Sequence, residues 1–378
     1  MKKYINISDV LWFQEGPGVR NTQYTTDGVK LLNVTNLING NVDTTNTNRY
    51  ISKEEAYGKY KHFLADEGDL VIASSGIKVE YFDKKMGFIR KEQLPLCMNT
   101  STIRFKVTDE KRLSIRYFMY YLKSNHFKEQ LGQQITGSAQ LNFGPSHLKK
   151  MVFPLIEMEE QAKIIDKLDT IYDIEYKMRT ELKLYDQLAS SLFIEMFGDT
   201  ITNDKYWEYR EISSVTEIIL GSTPKTSEPK YWDGNIKWIT PAEIGEDSFI
   251  IFDSIRHITE EGVKSIGIKS FPAGTVIFST RAPIGKTAIA GCNMYCNQGF
   301  KNFICNKKLN PVYLYMLLRI NKNFFVELGN GATFKELSKS TLEKIKISVP
   351  DINIQNEFEL YFNKIDKSKY SSFSHLSA

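Results

Sequence analysis

The feature that most constrains this 378-residue sequence is an internal repeat that covers most of its length. Four landmarks recur in the same order, at a spacing of roughly 195 to 205 residues. The matched segments are 67–74 with 273–279, 117–122 with 313–318, 137–154 with 331–350, and 160–169 with 354–366. Similar composition alone would not preserve both order and spacing. The sequence therefore predicts two copies of one folded module.

Each copy passes through the same succession of patterns. Short runs rich in β-branched and aromatic residues come first, such as Val29–Val34 and Asn235–Thr240, and glycine-proline turns stand at 16–18 and 221–224. A helical pattern closes each copy. We therefore expect an α+β fold in which two similar mixed α/β domains are separated by long helices.

The segment between the copies, Glu159–Phe197, carries a heptad pattern without glycine or proline, and Gly198 is the predicted helix stop. Its 39 residues would form a rod of about 58 Å. The ten heptad core positions are Ile164, Leu168, Ile171, Glu175, Met178, Leu182, Tyr185, Ala189, Leu192 and Met196. All of them except Glu175 are apolar. A stripe of this kind also occurs on helices packed against an ordinary core. The length of the pattern favours a protruding antiparallel coiled coil.

The natural partner is the equivalent C-terminal helix, which begins near Gln355 and looks short. The predicted packing residues are Ile164, Leu168, Ile171, Met178, Leu182, Leu192, Phe358, Phe362 and Ile365. The predicted domain limits are 1–155 for the first mixed domain, 156–198 for the central helix, 199–350 for the second mixed domain and 351–378 for the C-terminal helix.

Charge alternates along the chain. Residues 1–158 carry 22 basic and 16 acidic side chains, and residues 200–350 carry 19 and 15. The helix between them, 159–199, reverses the balance with 5 and 10. Phosphate-binding surfaces need a basic excess, so the two larger blocks are the candidates for nucleic-acid contact. The N-terminus lacks an apolar signal region and no stretch has the roughly 18 apolar residues of a membrane helix, so we expect a cytoplasmic protein.

Recognisable catalytic motifs are missing from the sequence. Gly285-Lys286-Thr287 resembles the end of a phosphate-binding loop, but Thr280 stands where that motif needs its first glycine. No glycine-rich cofactor loop follows a strand, and the five histidines are scattered. Cys292, Cys296 and Cys305 allow a zinc site as an alternative, yet their spacing favours reduced, packed thiols and no metal. We therefore expect a non-catalytic chain that binds no cofactor itself.

Taken together, the repeat and its motifs resemble the specificity subunit of type I restriction-modification systems. The signature is Leu148-Lys-Lys-Met-Val-Phe-Pro154, followed by Glu159-Glu-Gln-Ala-Lys-Ile-Ile-Asp-Lys-Leu-Asp169. Met196-Phe-Gly-Asp199 and Trp207 also resemble the family's junction into its second recognition domain. The likeness covers essentially the whole chain.

The resemblance implies two target recognition domains, each reading one half of a bipartite site in double-stranded DNA. It also implies an antiparallel helix pair on which two modification subunits dock, with restriction subunits completing the complex. Those partners would use S-adenosylmethionine, ATP and Mg, while this chain would supply the DNA address. The short C-terminal helix departs from the family pattern.

Sequence readout needs donors and acceptors that a rigid scaffold presents to base edges, and the polar loops supply the candidates. They are Arg20, Asn21, Gln23, Ser74, Ser75, Lys78, Gln140 and Asn142 in the first copy, and Lys225, Lys230, Arg281, Lys286, Gln298, Lys301 and Lys335 in the second. Each could instead be a solvated loop residue. Two competing functions stay open: a stand-alone DNA-modifying enzyme of unusual sequence, and a coiled-coil adaptor that binds only protein.

Overall fold

The computed structural model describes residues 3–45, 47–134, 142–281, 283–330 and 336–374. The chain folds as two compact units, residues 1–174 and 175–378. The division falls inside the long central helix, so each unit contains part of that helix. The domain limits from the sequence treat the helix as a separate segment, and they stay predictions.

The described residues of the first unit form eleven short strands and four short α-helices, followed by the central helix. The elements are β1 Lys3–Asn6, β2 Leu11–Glu15, β3 Val29–Leu32, β4 Leu37–Ile38, β5 Asn41–Val42, β6 Tyr50–Ile51, α1 Lys53–Tyr57, β7 Leu70–Ala73, β8 Met86–Phe88, β9 Leu96–Met98, β10 Thr102–Val107, α2 Ile115–Lys123, α3 Asn125–Gln134, α4 Pro145–Leu148, β11 Val152–Leu155 and α5 Met158–Phe197.

The main sheet of the first unit has the antiparallel order β2-β10-β7-β8. All four residues of β7 are buried, as a central strand covered on both faces requires. The aromatic face of α2 packs on this sheet, with the rings of Phe118 and Phe105 5.2 Å apart. A second sheet, β6-β3-β9, the hairpin β4-β5 and the terminal pair β1-β11 complete the unit.

The second unit repeats this plan after α5. Its elements are β12 Glu208–Glu211, α6 Ile212–Val215, β13 Thr216–Leu220, β14 Trp232–Ile239, β15 Ile250–Ile251, β16 Arg256–Ile258, α7 Glu260–Ile266, β17 Val276–Phe278, β18 Thr287–Ala290, β19 Tyr295–Cys296, β20 Lys301–Cys305, α8 Pro311–Ile320, α9 Lys322–Asn330, α10 Lys339–Glu343, β21 Lys346–Val349 and α11 Ile352–Ser374.

The strand order of the second unit matches that of the first. Its main sheet runs β13-β20-β17-β18, with β15 added at the edge, where the first unit has β2-β10-β7-β8. The sheet β16-β14-β19 corresponds to β6-β3-β9, and the pair β12-β21 corresponds to β1-β11. The predicted fold of two similar mixed domains joined by a long helix is therefore confirmed.

One buried glutamine fixes the start of the long helix in each unit. The Nε2 group of Gln161 donates to the carbonyls of Arg112 and Ile156, both at 2.8 Å, and its Oε1 accepts from Ser114 N at 2.9 Å. Gln355 bonds in the same way to Lys308 O, Pro350 O and Asn310 N. Both side chains are fully buried, so the two copies share a specific polar contact as well as a strand order.

Within the second unit, α11 packs antiparallel to the C-terminal part of α5. The ring of Phe358 lies 5.5 Å from Phe197, whereas Lys369, further along α11, pairs at 2.8 Å with Asp186, earlier in α5. Leu192, Phe362 and Ile365 belong to the same core, as the heptad predicts. α5 ends at Phe197, and the left-handed φ of 70° at the next residue, Gly198, makes that glycine the helix stop that the sequence predicts.

The heptad prediction needs two corrections. Ile171 is 57% exposed in this structure and packs in neither core. Conversely, the most buried apolar side chains of α5 are Phe193 and Phe197, which lie one position after the predicted Leu192 and Met196. The reason is that this end of α5 packs on both α11 and Tyr313 of α8, and two partners require a wider stripe than a two-helix seam.

The remaining stripe residues lie between these extremes. Ile164 packs against the core of the first unit, and Leu168, Met178 and Leu182 are half-buried. No helix in the described part of the chain is long and apolar enough to cross a membrane.

Candidate functional site

Polar loops converge at one edge of the main sheet in the first unit. β2 and β7 end there and β10 begins there, because neighbouring strands are antiparallel. Backbone hydrogen bonds tie the loops together: Gly16 N to Thr102 O at 2.9 Å, Ser74 N to Ser101 O at 2.8 Å, and Phe143 N to Ser74 O at 3.0 Å. We call residues 16–24, 74–78, 99–101 and 142–144 the first loop edge.

The second unit has an equivalent edge, in which two of these backbone bonds recur. Thr280 N donates to Gly299 O at 2.8 Å and Leu337 N to Thr280 O at 3.0 Å, while Ser222 N adds a bond of its own to Cys296 O at 2.9 Å. Thr280 therefore stands where Ser74 stands in the first unit. We call residues 221–225, 279–281, 283–286, 297–299 and 336–338 the second loop edge.

A glycine brings two of these loops into contact in each unit. A Cβ on Gly16 would lie 2.1 Å from Asn99 O, and one on Gly221 would lie 1.8 Å from Asn297 O. Both distances are much shorter than a van der Waals contact. The two turn glycines in the sequence are thus explained by close approach of backbone to backbone.

The two edges differ in the side chains at equivalent positions. In the first, the backbones of Ser75 and Asn142 pair in an isolated β-bridge. The corresponding bridge in the second joins Arg281 and Glu336. The same scaffold position therefore carries a neutral hydroxyl and amide in one unit and an ion pair in the other.

Seven of the eight first-copy candidates lie on the first loop edge, and four of them are exposed. Arg20, Asn21, Lys78 and Asn142 are exposed. Ser75 Oγ donates to Ser101 Oγ at 2.6 Å, which places a second hydroxyl beside it.

Two first-copy candidates use their side chains in hydrogen bonds within the protein. Gln23 is half-buried, and its Nε2 donates to Glu55 Oε1 at 2.7 Å. The prediction that Ser74 contacts bases is wrong for this structure. Ser74 is fully buried, and its hydroxyl donates to Glu15 Oε1 at 3.3 Å. Because its side chain faces the interior, Ser74 cannot reach a base edge as it stands, and it acts as part of the scaffold.

The second loop edge is centred on Glu336, which the sequence reasoning missed. Its carboxylate accepts from Lys301 Nζ at 2.8 Å and lies 3.7 Å from Arg281 Nη1. The prediction that Lys301 contacts DNA is also wrong for this structure, because Lys301 is only 8% exposed and its amine also donates to Thr280 Oγ1. The alignment of the two copies could have found Glu336, since it occupies the position of Asn142.

The other second-copy candidates are spread more widely. Gln298 is exposed on the second loop edge and accepts from the hydroxyl of Thr223, while Lys225 is exposed near Glu228. The amine of Lys286 donates to Pro241 O at 2.7 Å. Lys230 lies apart from this edge, beside Glu261 of α7. Gln140 and Lys335 fall outside the described residues.

All four cysteines are free thiols; Cys97 and Cys296 are buried, and Cys292 and Cys305 are half-buried. Burial raises the pKa of Cys97, Cys296 and Cys305, each to about 12, which disfavours the thiolate that binds metals. Among the described residues, no group of three or more His, Cys, Asp or Glu side chains is arranged to hold a metal ion.

Comparison with known proteins gives matches over nearly the whole chain. A family model described as type I restriction modification DNA specificity domain matches residues 3–184 and 204–370. The MjaIX specificity subunit of Methanocaldococcus jannaschii is 36% identical over 171 residues, which is 44% of this chain and 40% of that protein. A putative MjaX specificity subunit of the same organism is 22% identical over 336 residues, 83% of this chain and 74% of that protein.

Solved structures show the same fold at low sequence identity. The S subunit of a type I restriction-modification system from M. genitalium superposes with a TM-score of 0.56 at 14% identity, over 99% of this chain and 92% of that one. A chain from a study of complex assembly in the type I system gives 0.55 at 17% identity, over 98% and 91%.

The two matches to one family model coincide with the two halves of the repeat, and each half carries its own loop edge. This chain therefore belongs to the family of type I restriction-modification DNA specificity proteins.

Proposed function

We propose that this chain is the DNA-reading subunit of a type I restriction-modification complex, with one unit for each half of a bipartite target. The observation that carries the proposal is the pair of loop edges, which have matched backbone hydrogen bonds and different side chains. A shared scaffold with separate readout surfaces is what a subunit needs to recognise two unrelated half-sequences. Family membership supports the same conclusion.

The side chains at equivalent positions suggest different base preferences. Asparagine pairs through two hydrogen bonds with adenine, arginine with guanine, and a carboxylate accepts from the cytosine amine. Asn142 therefore suits an A·T pair, whereas Arg281 and Glu336 suit a G·C pair. Arg281 and Glu336 keep about a third of their side-chain surface exposed, so both remain accessible to a base.

Catalysis, on this proposal, belongs to the partner subunits. Modification subunits, two per complex, would use S-adenosylmethionine, and restriction subunits would use ATP and Mg. This chain would bind none of these cofactors and would work in the cytoplasm, beside the DNA. The acidic surface of α5 and its exposed Ile174, Tyr176, Leu184 and Leu188 support docking of protein rather than DNA there.

The experiment maps methylated adenines produced by the assembled complex. Asn142→Ala should relax the first half-sequence only, and Arg281→Gln the second only. A bidentate base contact contributes about 1–3 kcal/mol of discrimination, so the preference at the affected position should fall by about 5- to 150-fold. Arg90→Gln is the matched control, because Arg90 is exposed away from either loop edge and its ion pair is with the exposed Glu92.

Three results would count against the proposal. Relaxation of both half-sequences by either variant would contradict the assignment of one unit to each. Methylation of DNA by this chain alone with S-adenosylmethionine would favour the stand-alone enzyme. A complex whose DNA affinity does not change with salt concentration would favour the protein-only adaptor, since phosphate contacts release counterions.

A further inference from the structure

A basic groove adjoins the first loop edge and shares residues 76–78 with it. It has a volume of about 400 Å³, and three segments form it: the β4-β5 hairpin, the loop 76–78 and the 3-10 helix 79–84. Gly40 N donates to Lys84 O at 3.2 Å, which ties the hairpin to that helix. The lining residues include Ile38, Tyr81, Lys78, Lys84 and Lys85.

The charge of this groove is uncompensated. Its lining residues include three lysines and no acidic side chain. In the described part of the chain, none of these three amines lies within 4.0 Å of a carboxylate. The nearby Asp83 is paired with Lys128 at 3.0 Å, so its charge is already taken up outside the groove. The exposed face of Tyr81, 51% accessible, adds an aromatic surface beside the amines.

The groove is continuous with the residues that face bases in the proposed function. Ser75 lies on the first loop edge and Lys78 follows three residues later, so their Cα atoms are at most about 11 Å apart. The major groove of B-DNA is about 12 Å wide, and its phosphates flank the bases on either side. Lys78, at this distance from a base-reading residue, is placed to meet the flanking phosphates, and Lys84 and Lys85 line the same groove.

The second unit offers an internal comparison. A pocket at the equivalent hairpin and loop, which also reaches α5, α8 and α9, is lined by Lys286, Arg319 and Lys322, but also by Glu246, Asp247 and Asp186. Its positive and negative side chains are therefore balanced. Asn39 of the basic groove stands where the second unit has Glu246, two positions after the matched core residues Leu37 and Ile244. The uncompensated charge is thus a property of the first unit rather than of the shared fold.

We propose that the groove formed by Lys78, Lys84 and Lys85 binds the phosphate backbone next to the first half-site. The inference rests on the proposed function and adds a division of labour to it. Ser75 and Asn142 of the first loop edge read bases, and the lysine groove, which shares residues 76–78 with that edge, supplies affinity without sequence preference. Phosphate contacts position a protein on DNA and carry no sequence information directly, so the two roles can be separated by experiment.

The test compares two double variants of the chain in the assembled complex. Lys78→Gln with Lys84→Gln removes two groove charges. Lys91→Gln with Lys111→Gln removes two exposed charges at turns away from the first loop edge and is the matched control. Affinity for a duplex that carries the methylated target is measured over a range of salt concentrations, and the methylated sequence is mapped in parallel.

We expect the groove variant to lower the slope of log affinity against log salt by about 2, since each phosphate contact contributes about 0.9. At 0.15 M salt this corresponds to about a 30-fold loss of affinity. The methylated sequence should not change, and Lys78→Arg with Lys84→Arg should restore binding. The control pair should leave both slope and affinity near those of the wild type.

An unchanged slope in the groove variant would overturn the proposal. A changed methylated sequence would also overturn it, because the lysines would then be reading bases. Loss of the modification subunits with a retained slope would mean that the groove docks protein. If the wild-type complex itself showed no sequence-specific binding, the proposed function would fail instead, so the two failures are distinguishable.

Discussion

Replacing Gln355 with methionine should destabilise the second unit far more than an ordinary surface change. Methionine has nearly the length of glutamine but no hydrogen-bonding group. The substitution therefore removes the bonds to Asn310 N at 2.9 Å, Lys308 O at 3.0 Å and Pro350 O at 2.7 Å. It leaves three backbone groups without their partner at a fully buried site.

The magnitude follows from how many of those groups water can reach. An unsatisfied buried polar group costs about 1–3 kcal/mol. Lys308 is exposed, so its carbonyl can turn to solvent, whereas Asn310 is only 6% exposed. Two orphaned groups give a loss of about 3 kcal/mol in the free energy of unfolding. For a unit of this size, that lowers the melting temperature by about 6–12 °C.

The assay is thermal unfolding of the full chain, followed by circular dichroism. Gln161→Met should give a loss of similar size in the first unit, because Gln161 makes the same three bonds. The two losses should add, since the residues share no partner. Gln187→Met on the exposed face of α5 is the control and should change the melting temperature by less than about 2 °C.

A melting temperature for Gln355→Met equal to that of the Gln187 control would refute this reasoning. It would mean that water or local rearrangement satisfies the freed backbone groups, and that the glutamine does not hold α11 to the unit.

Two further predictions concern the loop edge and the helix pair. Gly16→Ala and Gly221→Ala should each lower the melting temperature by several degrees, because the new Cβ would meet Asn99 O or Asn297 O, whereas Gly18→Ala has free space and should not. Burial, and secondarily Asp186, raises the pKa of Asp366 above its usual 3.8, despite the opposing effect of a lysine on the same helix. The folded chain thus holds this proton more tightly than the unfolded chain, and stability falls as pH rises from 3.8 through the folded pKa. Asp366→Asn should therefore stabilise the chain at pH 7, and this gain should disappear in acid; urea unfolding across pH measures both.

The duplication and the central helix could be predicted because their signals are carried by the order of residues along the chain. The matched landmarks place Gln161 opposite Gln355, and the structure shows that the two make equivalent bonds. The heptad with Gly198 predicts a helix over 159–197, and the helix spans Met158–Phe197. Periodicity and capping depend on neighbours a few residues away, so they can be read before the chain is folded.

Only the tertiary structure decided which candidate side chains are buried and which stay exposed. Ser74 and Lys301 belong to the same polar loops as Ser75 and Arg281, yet the first two face inward and the others do not. Glu336 meets Lys301 across 35 residues of chain, and Ser75 meets Asn142 across a still longer separation. Such contacts depend on which strands become neighbours in the sheet, and a local pattern carries no information about that pairing. The scaffold could therefore be predicted from sequence, whereas the side chains left free to read DNA are determined by the packing of distant loops at one sheet edge.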